Sequence, residues 1–386
     1  MTQDEFFAQL SAALFSYAGQ PEYSELMDDL KTHFAEALRH GESEAAVTAR
    51  LGDPAEIAAG FRELMAGEVT PDATSGVTPA PASPASGDED EFPALPPLPP
   101  TLGPDAGRPV LAVDLRSANL VVWGGPGGQP PRVNVRDARG WTARDSEIRV
   151  EDLDGSVRIT QDPPTGVLGR LFNLVANVTV EVTLPVGSDG YADIRLATGN
   201  VELHGLELTG PAIVDTKVGN VKVDRCAARQ WWVNGRVGNV RLEDSRGPVE
   251  AYSRTGNVVV ANHTGAVSAD LRSGNLTVET RRSDAPSRLV VRSGNVKASV
   301  GRLGADLWLD VRSGNVTVEV AELGANVTTH SRSGNVKAAL GASTVALFRL
   351  SGSVVKNAFP TTPAPDGAPI VDLSTRSGTV KVTRLA

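Results

Sequence analysis

Ala305 to Gly324 reads ADLWLDVRSGNVTVEVAELG, and this stretch decides the fold. Leu307, Leu309 and Val311 alternate with Trp308, Asp310 and Arg312. Beyond Gly314-Asn315, Val316, Val318 and Val320 alternate with Thr317, Glu319 and Ala321. A period of two on both arms predicts two β-strands, each with one buried and one exposed face, joined at a Gly-Asn corner. Gly314 supplies a positive φ or close approach at the corner, and Asn315 tolerates left-handed geometry.

The same corner recurs. Gly-Asn stands at Gly199, Gly219, Gly238, Gly256, Gly274, Gly294, Gly314 and Gly334, at intervals of 20, 19, 18, 18, 20, 20 and 20 residues. Gly352-Ser353 and Gly378-Thr379 are weaker copies, and Arg-Ser-Gly-Asn-Val or its Leu variant starts at Arg272, Arg292, Arg312 and Arg332. The period is too short for a helical-pair repeat, which needs about 33 to 45 residues. Two architectures fit: a chain of hairpins with Gly-Asn at each turn, or a β-solenoid in which each coil stacks on the last. Columns of identical residues favour the solenoid, because in-register stacking brings like residues together. The expected fold is mainly β, a right-handed β-solenoid of about ten 18–20-residue coils, roughly 48 Å long at about 4.8 Å per coil. Ser273, Ser293, Ser313, Ser333 and Ser377 are expected to form an inward corner ladder. Asn275, Asn295, Asn315 and Asn335 are expected to stack as an amide ladder.

Residues 1–66 read as a small all-α domain. Phe6, Phe7, Leu10, Leu14 and Phe15 recur at helical spacing, as do Leu26, Leu30, Phe34, Ala37 and Leu38. Thr2 with Glu5 has the form of a capping box. Pro21-Glu22 suits the start of a second helix and Gly41 its end. A third helix is expected at Ser43–Leu51 and a fourth at Ala55–Met65, across a Gly52-Asp53-Pro54 turn. The early Phe-Phe-x-x-Leu, then LKTHFAEAL (Leu30–Leu38) and HGESEAAVTARLGDPAEIAAGF (His40–Phe61), closely resemble the bacterial HAAS signalling domain. That family is known from proteins encoded beside PadR-type regulators. The resemblance implies a regulatory protein partner for this domain, such as a transcriptional regulator. Membrane helices commonly follow the domain in that family, but no comparable apolar run follows it here.

Residues 67–107 form a Pro/Ala/Ser-rich linker with an acidic run, Asp88–Glu91, before FPALPPLPP. Such a composition is expected to remain disordered, with extended proline segments acting as a spacer. From Arg108 to Ala386 the chain reads as β, with 108–190 as irregular N-terminal coils and a cap. PVLAVDLRSANLVVW is a degenerate copy in which Ala118-Asn119 replaces Gly-Asn. SEIRVEDLDGSVRITQ reads as two strands around Asp154-Gly155, a short helix is expected within Val167–Val178, and Asn177–Ser188 is expected to open the regular region. VEVTLPVGSDGYADIRLATGNVEL (Val180–Leu203), with the RSGNV and TGNV copies, resembles a bacterial β-strand-repeat family of unknown function that carries an adhesin label. The resemblance extends the alternatives to a surface adhesin.

Charge is uneven. Residues 1–104 carry 4 basic and 18 acidic side chains, whereas residues 190–386 carry 24 and 17. The start Met-Thr-Gln-Asp-Glu has no basic and apolar leader, and Cys226 is the single cysteine, which excludes an internal disulfide. A cytoplasmic protein without a membrane span is expected, with the cell surface by a non-classical route as the alternative.

Lys217, Arg236, Arg254, Arg272, Arg292, Arg312, Arg332 and Arg376 each precede a turn glycine by two residues. Stacked like charges about 5 Å apart repel, so something must neutralise them. Asp215, Asp270 and Asp310, two residues earlier on the same face, are candidate internal partners, whereas Tyr252, Val290, His330 and Ser374 leave their arginines without such a neighbour. The alternative to internal pairing is that Arg254, Arg272, Arg292, Arg312, Arg332 and Arg376 form a binding column for an anionic partner. Nucleic acid is a less favoured case, because Trp232, Tyr252 and Trp308 are sparse as stacking platforms. No catalytic, cofactor or metal site is expected. Asp270 and Asp310 are two coils apart, and His33, His40, His204, His263 and His330 lack metal-ligand spacing. Cys226 is expected to be buried. The expected function is that of a non-enzymatic interaction or scaffold protein, with a partner-recognising head and a solenoid that binds or self-associates.

Overall fold

The repeat arms fall into two different sheets. In a computed structural model, which describes residues 1–39, 43–67, 108–137, 148–153, 155–162, 178–360 and 365–385, the arm before each Gly-Asn lies in one sheet and the arm after it in the other. Strand Leu307–Ser313 pairs in parallel with Ser287–Ser293 on one side and Val327–Ser333 on the other. Strand Val316–Leu323 likewise pairs with Val296–Leu303 and Val336–Leu340. Partners are thus one repeat apart and parallel, which removes the hairpin reading and gives a solenoid-like stack. Leu307, Leu309, Val311, Val316, Val318 and Val320 are all buried between the two sheets.

The corner glycines have φ between +135° and +152°. A Cβ on Gly314 would overlap the carbonyl oxygen of Gly294, and the same clash recurs from Gly219 through Gly334. Glycine is needed twice over, for its backbone conformation and for this close approach. The asparagine ladder runs further than the repeat motif suggests. Each backbone N–H of Asn200, Asn220, Asn239, Asn257, Asn275, Asn295, Asn315 and Asn335 donates to the Oδ1 of the asparagine one rung before, at 2.9–3.1 Å. Thr379 N–H closes the series on Asn335 Oδ1.

The serine column corrects the sequence reading. Ser273, Ser293, Ser313, Ser333 and Ser377 are exposed. Inward parity holds as far as Leu271, Val291, Val311, Ser331 and Thr375. The chain then bends into the corner, so that the last two residues of each strand both lie outside the intersheet core.

Sequence order breaks at both ends of the stack. Pro109–Ser117 and Asn119–Gly125 lie directly beside Tyr191–Thr198 and Val201–His204. Val157–Gln161 and Val178–Pro185 flank them on the outer side. The asparagine ladder therefore opens at Asn119, on a coil that sits between Val178–Pro185 and Val201–His204. At the other end, Ile370–Ser377 and Thr379–Arg384 stack on the Val327–Leu340 coil, and Leu347–Ser351 and Val354–Asn357 lie outside them. Ile148–Asp152 pairs antiparallel with Val157–Gln161, as expected for the segment around Gly155.

The helical unit begins with α1 (Gln3–Ala13), held by the Thr2–Glu5 capping box. It continues through a 3-10 turn (Phe15–Tyr17), α2 (Pro21–Arg39), α3 (Glu44–Leu51, capped by Ser43) and α4 (Pro54–Gly67). Phe6, Leu10, Leu14, Leu26, Leu30, Phe34, Val47, Leu51, Ile57 and Phe61 form its core. Phe15 and Leu38 were expected on the buried stripes, but they are 80% and 39% exposed. The tightening of the chain after Ala13 turns Phe15 away from the core. Gly41, Asp154, residues 68–107 of the linker and residues 167–177 of the expected short helix lie outside the described residues. No described helix is long and apolar enough to cross a membrane.

Candidate interaction surface

Stacking at fixed register converts the sequence repeat into columns on the outer face of the first sheet. One column runs Asp215, Asn234, Tyr252, Asp270, Val290, Asp310, His330, Ser374. The basic residues stand two positions further on, next to the corner. Lys217, Arg236, Arg254, Arg272, Arg312 and Arg376 are exposed, whereas Arg292 and Arg332 are half-buried.

Charge compensation crosses between coils as well as running along a strand. Asp193 and Arg195 form a same-strand pair with two hydrogen bonds of 3.0 Å. For Asp270, burial pushes the carboxyl pKa up, and the opposing positive charges come from Arg292 and Arg288 on the next coil. Burial also raises the Asp215 pKa. Arg236 and Arg195 on the flanking coils oppose it ahead of Lys217 on its own strand, and Asn234 donates to it at 2.9 Å. The largest opposing charge on Asp270 thus comes from Arg292, 22 residues away, rather than from Arg272 two residues away. Arg292, one of the arginines with no acidic neighbour two residues earlier on its own strand, is half-buried, and its Nε is buried without a hydrogen-bond partner among the described residues.

The aromatic residues occupy the same outer face. Trp232 is buried against Tyr252, with ring centroids 5.4 Å apart, and Tyr252 donates to Glu250 at 3.1 Å. The Arg288 guanidinium lies 4.5 Å above the Trp308 ring. These rings are engaged by neighbours rather than spread as an open platform.

Sequence reasoning missed the second corner. Arg225, Asp244 and Asn262 occupy it on successive coils with φ of 52°, 47° and 51°. The residues after them, Cys226, Ser245 and His263, turn inward and are buried. Burial raises the Cys226 pKa to about 11. Ser245 Oγ and His263 Nδ1 are 3.0 Å apart, while His263 Nε2 has no partner among the described residues. The only available signal was coil length, which steps from 18–19 to 20 residues after Gly274. Two cavities of ≈ 360 and ≈ 230 Å³ flank this step and share Asn262 and Arg281. Their arginines are partly neutralised in place: Arg225 pairs with Asp224 at 3.0 Å, and Arg281 lies 3.7 Å from Asp244.

Parallel coils joined at glycine corners match a known domain. The Toastrack DUF4097 family model covers residues 137–383. The chain belongs to the Toastrack family. Its helices match the HAAS family model over residues 5–60. The chain matches no curated protein and no solved structure at a significant level. The Toastrack match begins after Asn119, although that residue already holds the first rung of the asparagine ladder. Among the described residues of this Toastrack protein, no group of three or more His, Cys, Asp or Glu side chains is placed to hold a metal.

Proposed function

We propose that the protein is a non-enzymatic regulatory interaction protein, in which the HAAS helices recognise a protein partner and the Toastrack coils present an extended binding surface. The observation that carries this reading is the corner itself. Exposed asparagine, serine and basic side chains repeat on successive coils there, which is a surface built for many weak contacts rather than one reaction. Neither family is a known enzyme family. On the helices, Phe15 projects an aromatic ring from an acidic module, a feature suited to anchoring in a complementary pocket.

The exposed arginines favour an anionic partner on the coils as a second component of this reading. Arg254, Arg272, Arg312 and Arg376 are the accessible members of the column, and Arg292 and Arg332 contribute less because they are half-buried. Cross-linked pull-down with the full chain from its native cells tests both parts. Phe15→Ala is expected to lose the protein partner, and the fourfold Arg→Gln variant at 254, 272, 312 and 376 the anionic one. Identical capture by wild type and both variants overturns the proposal.

A further inference from the structure

The two ends of the β-stack are finished differently. At one end the edge strands are Arg132–Asp137 and Ile148–Asp152. Their sequences, RVNVRD and IRVED, carry six charged residues in eleven. Ile148–Asp152 also runs antiparallel to its neighbour, which stops the parallel stack. Charged side chains are an ordinary means of protecting an edge.

At the other end the edge strands are Leu347–Ser351 and Val354–Asn357. LFRLS and VVKN carry two charged residues in nine. Phe348, Leu350 and Val355 stand in register with Val371, Leu373 and Val380, which are fully buried. They are therefore the last layer of the intersheet core, yet Phe348 and Leu350 are only half-buried and Val355 is 44% exposed. Val345, Leu347 and Val354 beside them are 60%, 43% and 48% exposed. Phe359 folds back against Phe348 and covers part of the opening. The remaining apolar surface adjoins two strand edges whose outward N–H and C=O groups have no strand partner among the described residues.

We infer that this end is a dimerisation surface, occupied by the same end of a second copy related by a two-fold axis. Such an axis, perpendicular to the direction of stacking, sets edge strands of the two copies antiparallel. It also places the open layer of Phe348, Leu350 and Val355 against its own image, a self-complementary contact. Head-to-tail stacking on the opposite end is disfavoured by the charged edge strands there. The Pro-rich stretch FPALPPLPP of the same chain is a poor substitute, because proline has no N–H to pair with an edge. The inference does not rest on the basic column or on the HAAS partner, so either can fail without the other.

The test is the mass of the full chain in solution across a concentration series. A reversible dimer of twice 40.4 kDa is expected. Arg349 and Lys356 bring like charges to the contact, so added salt should strengthen the dimer, opposite to its effect on an anionic ligand. Val355→Lys and, separately, Leu347→Lys should weaken the dimer at least tenfold with unchanged circular dichroism. As an independent measure, Val354→Cys with a short bis-maleimide should link two copies, and buried Cys226 leaves wild type unlinked. A strictly monomeric wild type, a mass ladder beyond the dimer, or a dimer indifferent to both lysine variants overturns the inference.

Discussion

Asn200 donates its backbone N–H to Oδ1 of Asn119 at 2.9 Å, although 81 residues separate them. The same bond joins Asn220 to Asn200 across only 20 residues. One ladder geometry thus serves both sequential neighbours and a long return, so the amide column defines the register rather than the chain order.

Asn295→Ala should therefore cost about 1–2 kcal/mol. It removes the acceptor for both the N–H and the side-chain amide of Asn315, and one donor to Asn275. Asn335→Ala should cost less, because Thr379 above it offers only its backbone N–H there. Urea midpoints of the two variants check the order.

Gly314→Ala should be severely destabilising, by more than about 3 kcal/mol, since backbone strain and overlap with the Gly294 carbonyl add. Gly367→Ala, with φ +82° and open space around it, should cost only the strain, about 1–2 kcal/mol. Thr317→Val, on an outward strand position, should be close to neutral. Equal losses at Gly314 and Gly367 would show that the close approach does not matter.

Arg292→Gln should destabilise by about 1–2 kcal/mol. That is less than the loss at a fully buried pair, because Asp270 keeps some solvent contact. The same change should raise the pKa of Asp270 further, which NMR titration of that carboxyl can follow. Arg272→Gln and Arg312→Gln, both exposed, should stay within about 0.5 kcal/mol of wild type.

His263 gives the β-unit an acid limit. Burial holds its pKa down to about 4, against 6.5 in the unfolded chain. The unfolded state therefore binds the extra proton first, and stability falls as pH drops from about 6.5 towards 4. Unfolding midpoints across this window should show the loss, up to about 3 kcal/mol at one pH unit per 1.4 kcal/mol. In His263→Asn the slope should flatten even if the midpoint itself is lower.

The repeat corner was legible because Gly-Asn is a local signal and because stacking makes identical residues neighbours. The buried arms followed from period two. Ser313 was misplaced because alternation continues on paper while the backbone turns. The influence of Arg292 on Asp270 was not legible, because strand neighbours two apart are visible in sequence, whereas charges brought close by an adjacent coil are not. The swapped end coils left no trace, since Ala118-Asn119 says that a coil forms but not which coil it stacks upon. Phe15 failed for a similar reason: helical spacing does not announce where the helix stops.

The out-of-order end coils also set a folding sequence. Interior coils meet partners 18–20 residues away and can form as soon as two are complete. The Pro109–Gly125 coil must wait for Tyr191–His204, and the place beside Val336–Leu340 must stay vacant until Thr379–Arg384 arrives. These long loop closures are the slow, high-contact-order steps. The stack should grow outward from its middle and be completed last at both extremities.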